Sequence, residues 1–335
     1  IYILALVIGV YQIFHASINL VTYVLYRKNK IRPRFRLLLD GLVLVFLGGT
    51  SLLSSTGNSV FQLFVLGAYF FLYGVSNIRD GFLFEEEIGK NHLKRRVRMS
   101  LPIVLAALIP ARTLAKINKF MLENADEEED IHLGIVKSGK TAELEIFVHT
   151  AETSLFSAIG HVDICYQGRV ISYGNYDPSS ETLFGMVGDG VLYFCDRDKY
   201  IDLCKRESQK TLFGYGIDLT PEMEKAVQKK LAELKQLTIP WEPSADKIMT
   251  GDGKEDYTYA YKIRHETDGE LYKFIKSKFK SYFVLSTNCV LLADTIVGQA
   301  GTDILSPKGF IAPGTYQAYL NREFEKPNSI VVSKH

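Results

Sequence analysis

The first 122 residues constrain this chain most, because they are dominated by long apolar runs. Residues 1–26 are almost uncharged and long enough to cross a bilayer, which takes about 20 apolar residues. Further runs cover 37–53 and 60–78. A weaker one covers 97–114, where Pro102 and Pro110 interrupt and Arg112 comes early. The pattern predicts an α-helical membrane domain of about four spans. The fourth run reads as a short span with Arg112 snorkelling to the interface, or as a re-entrant segment. The first run is too long for the apolar region of a secretory signal, and no cleavage-site pattern follows it. The chain opens on Ile1 inside this run, which leads us to expect further membrane sequence upstream in a longer protein.

The loops between the runs are lopsided. Residues 27–36 carry Arg27, Lys28, Lys30, Arg32, Arg34 and Arg36 without an acid, and 54–59 carry no charge. The third loop holds Lys90, Lys94, Arg95, Arg96 and Arg98 beside Glu85, Glu86 and Glu87. By the positive-inside rule the first and third loops are cytoplasmic. A spanning fourth run then places the rest of the chain outside the cell, the reading we favour. A re-entrant one leaves it in the cytoplasm, toward which Arg112, Lys116 and Lys119 pull weakly. Gly9-Val10-Tyr11, Phe14 and Asn19 align with Gly67-Ala68-Tyr69, Leu72 and Asn77, and Arg34-Phe35-Arg36 with Arg96-Val97-Arg98. This repeat resembles the repeats of HdeD-like bacterial membrane proteins over residues 1–112. No acid or base sits in the middle of the first three runs, which argues for an anchor rather than a pump or transporter. His15 is the exception and reads as a helix-contact residue.

Residues 123–130 form an acidic hinge, and 131–335 read as an α+β domain. The net charge of +1 gives no global field for nucleic acid. Strands are expected at 131–136, 142–149, 190–195 and 211–219. A tight hairpin runs from 157 to 176 with Gln167-Gly168 at its turn. A helix is expected at 197–206, and another from the cap signal Thr220-Pro221-Glu222. Residues 257–263 read as a strand, 271–279 as a helix and 316–324 as a last helix. Cys165, Cys195, Cys204 and Cys289 form no CxxC pair and no zinc spacing, so we expect free thiols and neither a metal nor a cofactor.

Chemistry concentrates at Ser286-Thr287-Asn288-Cys289, followed by the apolar Val290 to Ala293. This is a helix start, capped by Asn288 or Thr287, with a thiol in the first turn. The positive end of the helix dipole favours a thiolate there. Taken alone, such a free cysteine is more often a core side chain. A nucleophile needs a base. His161 follows Gly160 on the first hairpin strand, where alternation puts His161, Asp163 and Cys165 on one face.

Gly160-His161-Val162, Gly168 and Ser172-Tyr173-Gly174 on two strands, followed much later by Asn288-Cys289, resemble the circularly permuted NlpC-type papain-like hydrolases. Lecithin:retinol acyltransferase-like proteins share that order. The tail Ile311-Ala312-Pro313-Gly314 is similar to the segment after the cysteine helix in permuted bacterial families. The resemblance covers residues 140–325 and implies a papain-like α+β domain with an antiparallel sheet. It implies Cys289 as nucleophile, His161 as base, and an oxyanion held at the Asn288-Cys289 helix start. A third, polar member is implied on the next strand, where Tyr173 and Asn175 are both open.

The activity this implies is a membrane-anchored cysteine hydrolase or acyltransferase of the bacterial plasma membrane. It would act through a Cys289 thioester on a peptidoglycan peptide or a lipid-linked acyl group, with the bilayer as partner. The alternative is an inactive papain-like ligand-binding or sensor domain coupled to the membrane repeats.

Overall fold

The computed structural model describes residues 2–53, 135–136, 142–149, 160–207, 212–249, 255–300 and 329–334, with isolated positions at 64, 67 and 71 and between 317 and 325. The chain divides into two compact units, Ile1–His92 and Leu93–His335. The fourth apolar run, the acidic hinge, the second half of the internal repeat apart from Gly67, and the tail 311–314 lie outside the described residues. Of the third run only Phe64, Gly67 and Phe71 are described, each helical.

In the first unit, α1 (Tyr2–Lys28) and α2 (Phe35–Leu53) form a helical hairpin across the basic loop. Both are long and apolar enough to cross a membrane. They meet through small residues. A Cβ on Gly48 would stand 2.9 Å from Ile13 Cγ1 and 3.0 Å from the Gly9 carbonyl oxygen, and one on Gly41 would stand 2.9 Å from Leu20 Cδ2. In a bilayer, such close backbone approach would stand in for the hydrophobic force that lipid cannot supply. Large apolar side chains, among them Val10, Phe14, Leu42 and Phe46, point outward. His15 packs its ring against Tyr11 at 5.9 Å.

The second unit holds β1 (Ile135–Val136), β2 (Leu144–His149), β3 (His161–Tyr166), β4 (Arg169–Gly174), β5 (Val187–Asp189) and β6 (Val191–Asp196). Next come α3 (Arg197–Glu207), β7 (Leu212–Ile217), α4 (Pro221–Lys235), β8 (Thr238–Pro240), β9 (Lys247–Met249), β10 (Glu255–Tyr257) and α5 (Tyr259–Glu266). The series ends with β11 (Glu270–Phe274), β12 (Ser281–Phe283), α6 (Cys289–Val297) and β13 (Val331–Lys334). Nine strands pair antiparallel in the order β1-β13-β7-β2-β3-β4-β6-β11-β8. Gln167 and Gly168 both take left-handed backbone, φ 50° and 73°, which suits the tight β3–β4 turn.

Alternation gives the sheet two buried faces. Leu144, Ile146, Val148, Val162, Ile164, Ile171 and Tyr173 face α4 and α6. Phe147, Cys165, Val170 and Tyr193 face α3 and α5, with Tyr200, Leu203 and Ile263 packed on them. Thr220 caps α4 by accepting from Met223 N at 3.3 Å, with Pro221 at the first helical position.

Two expected elements differ. Tyr257, Tyr259, Tyr261 and Ile263 alternate like a strand. Thr258 instead caps a helix by accepting from Tyr261 N at 3.2 Å, and that helix buries Ala260 and Ile263. Leu271, Phe274, Ile275 and Phe279 have helical spacing, but residues 270–274 pair with both β6 and β8. Two strand partners there outweigh the helical period.

The hairpin packing is testable at two adjacent glycines. Gly48→Leu should lower the unfolding temperature of the detergent-solubilised protein by several degrees. Gly49→Leu, with no heavy atom within 4 Å of its Cβ position, should leave it unchanged. Equal melting of the two variants, followed by circular dichroism, would contradict the close helix contact.

Candidate functional site

Cys289 is the first residue of α6, and its start is held on three sides. Asn288 accepts from Leu291 N at 3.1 Å and donates through Nδ2 to the Val284 carbonyl at 2.9 Å. Thr287 Oγ1 donates to the Ser281 carbonyl at 3.1 Å. Of the two residues open as the cap, Asn288 is the one used. Its side chain is thereby spent on the backbone, and the N–H groups of Cys289 and Val290 in the first turn have no intrahelical partner. Cys289 is 3% exposed.

His161 is the first residue of β3, paired with His149 at the end of β2. Its ring belongs to the face of α3 and α5, whereas Cys289 packs on the opposite face. Each is the first residue of its element, His161 on the last paired rung of β2 and β3 and Cys289 at the start of α6. The contact is close enough that both the charge of Cys289 and a hydrogen bond with it raise the His161 pKa.

His161 Nε2 has three oxygen neighbours: Ser172 Oγ at 2.9 Å, Tyr176 OH at 3.0 Å and Asp163 Oδ1 at 2.9 Å. Ser172 and Tyr176 also bond each other at 2.8 Å. Gly174 lets this happen, since a Cβ there would stand 2.6 Å from Tyr176 Cζ. Asp163 Oδ1 lies at ion-pair distance but off the hydrogen-bonding direction of Nε2, so it has no hydrogen-bond donor among the described residues. Burial works to lower the His161 pKa, but the Asp163 carboxylate and the Cys289 thiol together hold it well above its ordinary value. Burial likewise works to raise the Asp163 pKa, yet His161 and His149 hold it far below the usual carboxylate range.

Cys289 also hydrogen-bonds Tyr282, whose hydroxyl is kept protonated by burial and by the neighbouring thiol charge. A cavity of about 240 Å³ opens beside this group. His161, Asn175 and Tyr282 line it with Tyr176, Met186 and Val284. Its rim carries a turn in which Leu183, Phe184 and Gly185 are all left-handed, with φ of 50°, 57° and 79°. Phe184 on that turn is 93% exposed. Left-handed backbone at two large residues costs roughly 1–2 kcal/mol each.

The structure thus brings Cys289 and His161 together and places Asn288 as the helix cap. Tyr173 stands elsewhere: it lies on the α6 face, fully buried, and donates to the Phe279 carbonyl at 2.9 Å. Asn175 lines the cavity, and its Oδ1 accepts from Ser180 Oγ at 3.5 Å rather than meeting the His161 ring. The polar group beside the ring is Asp163, two residues along the same strand, with Ser172 and Tyr176. Asp163 had a signal in the sequence, because alternation already put it on the His161 face. Tyr282 and Tyr200 had none. Among the described residues no group of three or more His, Cys, Asp or Glu is arranged to hold a metal ion.

Asp163→Asn removes the anion while keeping the shape. Burial then prevails at His161, its pKa falls, and the imidazolium is lost at neutral pH. Cys289 then lacks the neighbouring cation that favours a reactive thiolate. The rate of Cys289 alkylation by iodoacetamide at pH 6 should therefore fall about tenfold or more. Cys165, pushed up to about 12 by burial, should stay unlabelled in both proteins. The raised His161 pKa stabilises the fold fully below about pH 6.5, its unfolded value, and that gain is lost as pH rises through the folded value. The lowered Asp163 pKa stabilises above about pH 4, and that gain is lost as pH falls through its low folded value. Tyr173→Phe should cost about 1–2 kcal/mol in urea unfolding and leave Cys289 alkylation unchanged.

No family model, curated protein or solved structure matches this chain.

Proposed function

We propose that this protein is a membrane-anchored cysteine hydrolase or acyltransferase whose residues 131–335 form a circularly permuted papain-like domain. The observation that carries the reading is the Cys289–His161–Asp163 line, set at a helix start, with the half-buried His161 on the wall of a cavity. The Cys289 thiolate would attack the carbonyl carbon of an amide or ester. The His161 imidazolium would give its proton to the leaving amine or alcohol, leaving a thioester. The neutral ring would then take a proton from water or an acceptor hydroxyl as that oxygen attacks the thioester and releases Cys289. The free N–H groups of the first turn of α6 would hold the oxyanion, a role that falls to the backbone because the Asn288 side chain is already spent.

The cavity wall is apolar at Phe184, Met186, Tyr282 and Val284, and its one carboxylate is Glu181. This lining suits a lipid-linked acyl group better than a stem peptide, whose own carboxylates Glu181 would repel. The anchoring spans are read from the two described helices and the apolar runs after them. The basic loops favour a domain outside the plasma membrane of a bacterium. The sensor reading drew on a missing third member beside His161, and Asp163 supplies a carboxylate there.

Intact-mass analysis after reaction with a p-nitrophenyl acyl ester tests the proposal. The expected result is one acyl adduct on Cys289, turned over slowly by water, and reduced at least a thousandfold in Cys289→Ala and His161→Ala. Adducts spread evenly over the four cysteines would reject it.

A further inference from the structure

Behind His161 lies a second layer that the proposed reaction does not touch. Asp163 is 1% exposed, and its Oδ2 accepts from His149 Nε2–H at 2.8 Å and from the Tyr200 hydroxyl at 2.5 Å. His149 and Tyr200 also lie 3.2 Å apart and are themselves buried. The three groups come from three elements: the end of β2, the middle of β3 and the first turns of α3. One carboxylate oxygen is therefore held by two donors. The other, Oδ1, is buried without a hydrogen-bond donor among the described residues and stands 2.9 Å from the His161 ring. A buried acceptor without a donor is destabilising. That cost is offset only when the ring beside Oδ1 carries positive charge.

We propose that His149 is a positioning residue: with Tyr200 it clamps Oδ2 of Asp163 so that Oδ1 is presented, unspent, to the His161 imidazolium. This rests on the cysteine-nucleophile reading of Cys289. The clamp fixes where the anion sits, and so the pH range over which the thiolate–imidazolium pair persists. The other titratable groups facing it are Tyr176, Tyr193, Tyr200, Tyr259, Cys195 and Cys289, and burial holds the four tyrosines and Cys195 in their uncharged forms. No lysine or arginine among the described residues pairs with Asp163, and the basic side chains within ion-pair distance of it are His149 and His161.

The test is the pH profile of Cys289 alkylation by iodoacetamide in the full chain, read by mass spectrometry between pH 4 and 9. Thermal melts serve as the folding control. In His149→Phe the carboxylate loses a donor and the imidazolium loses its fixed counter-charge. The rise in rate should then begin about one pH unit higher, leaving alkylation about tenfold slower at pH 6. His149→Gln, whose amide can donate to Oδ2, should recover most of the wild-type profile. Adding His149→Phe to Asp163→Asn should move the profile no further, because the clamp then holds no anion. A His149→Phe profile that superimposes on the wild type overturns the proposal and leaves the nucleophile reading intact. A wild-type profile like that of an unperturbed thiol overturns both. If His149→Phe does not fold, Tyr200→Phe takes its place: a profile displaced in the same direction supports the clamp, and an unchanged profile rejects it.

Discussion

A carboxylate taken out of water must find compensation where it lies, at a penalty of several kcal/mol if it does not. Asp163 sits in the middle of a central strand, and most of the chemistry around it follows from that requirement. Two histidines and a tyrosine from a packed helix converge on this one anion, while the Ser172 and Tyr176 hydroxyls hold the His161 ring beside it. Hydroxyls and imidazoles can satisfy it without importing a permanent cation. The charge of Asp163 therefore stays available to His161 instead of being neutralised by an arginine. An arginine at Tyr200's place would give a stronger ion pair and a less responsive base.

The sheet could be read from the sequence wherever one face is buried and local chemistry agrees. Leu144, Ile146 and Val148 gave their strand by alternation, Gln167-Gly168 gave the hairpin, and Thr220-Pro221 gave the helix start. Reading failed where two periods competed. The tyrosines from 257 to 261 alternate, yet Thr258 starts a helix on which Tyr257 and Tyr261 stack at 4.3 Å. The segment after Gly269 has helical spacing, yet it fills a gap between two strands. Neither outcome is visible without the partners, because pairing energy belongs to the sheet and not to the segment.

The candidate site divides in the same way. Cys289 and His161 were legible because a helix start and a strand after glycine each have local signatures. The third group was sought across the hairpin, at Tyr173 and Asn175, although the alternation that placed His161 placed Asp163 beside it. Tyr173 belongs to the other face by parity, and its hydroxyl is needed by the Phe279 carbonyl. Tyr200 and Tyr282 depend on tertiary packing alone. In the helical hairpin, Gly41 and Gly48 become a contact surface only through Leu20 and Ile13 on the facing helix, partners that the sequence around each glycine does not name.

The pairing of His149 with His161 at the last rung of β2 and β3 has a consequence for how the protein fails. Side chains on a strand change faces with every residue, so a slip of one position sends His161 and Asp163 to the α6 side together and carries Val162 and Ile164 into the polar layer. A misaligned sheet would bury two charges against aliphatic side chains and leave aliphatic ones among polar groups in the same stroke. Folding error and loss of the site are thus one event. The chemistry of this strand works as a proofreading mark for its own alignment.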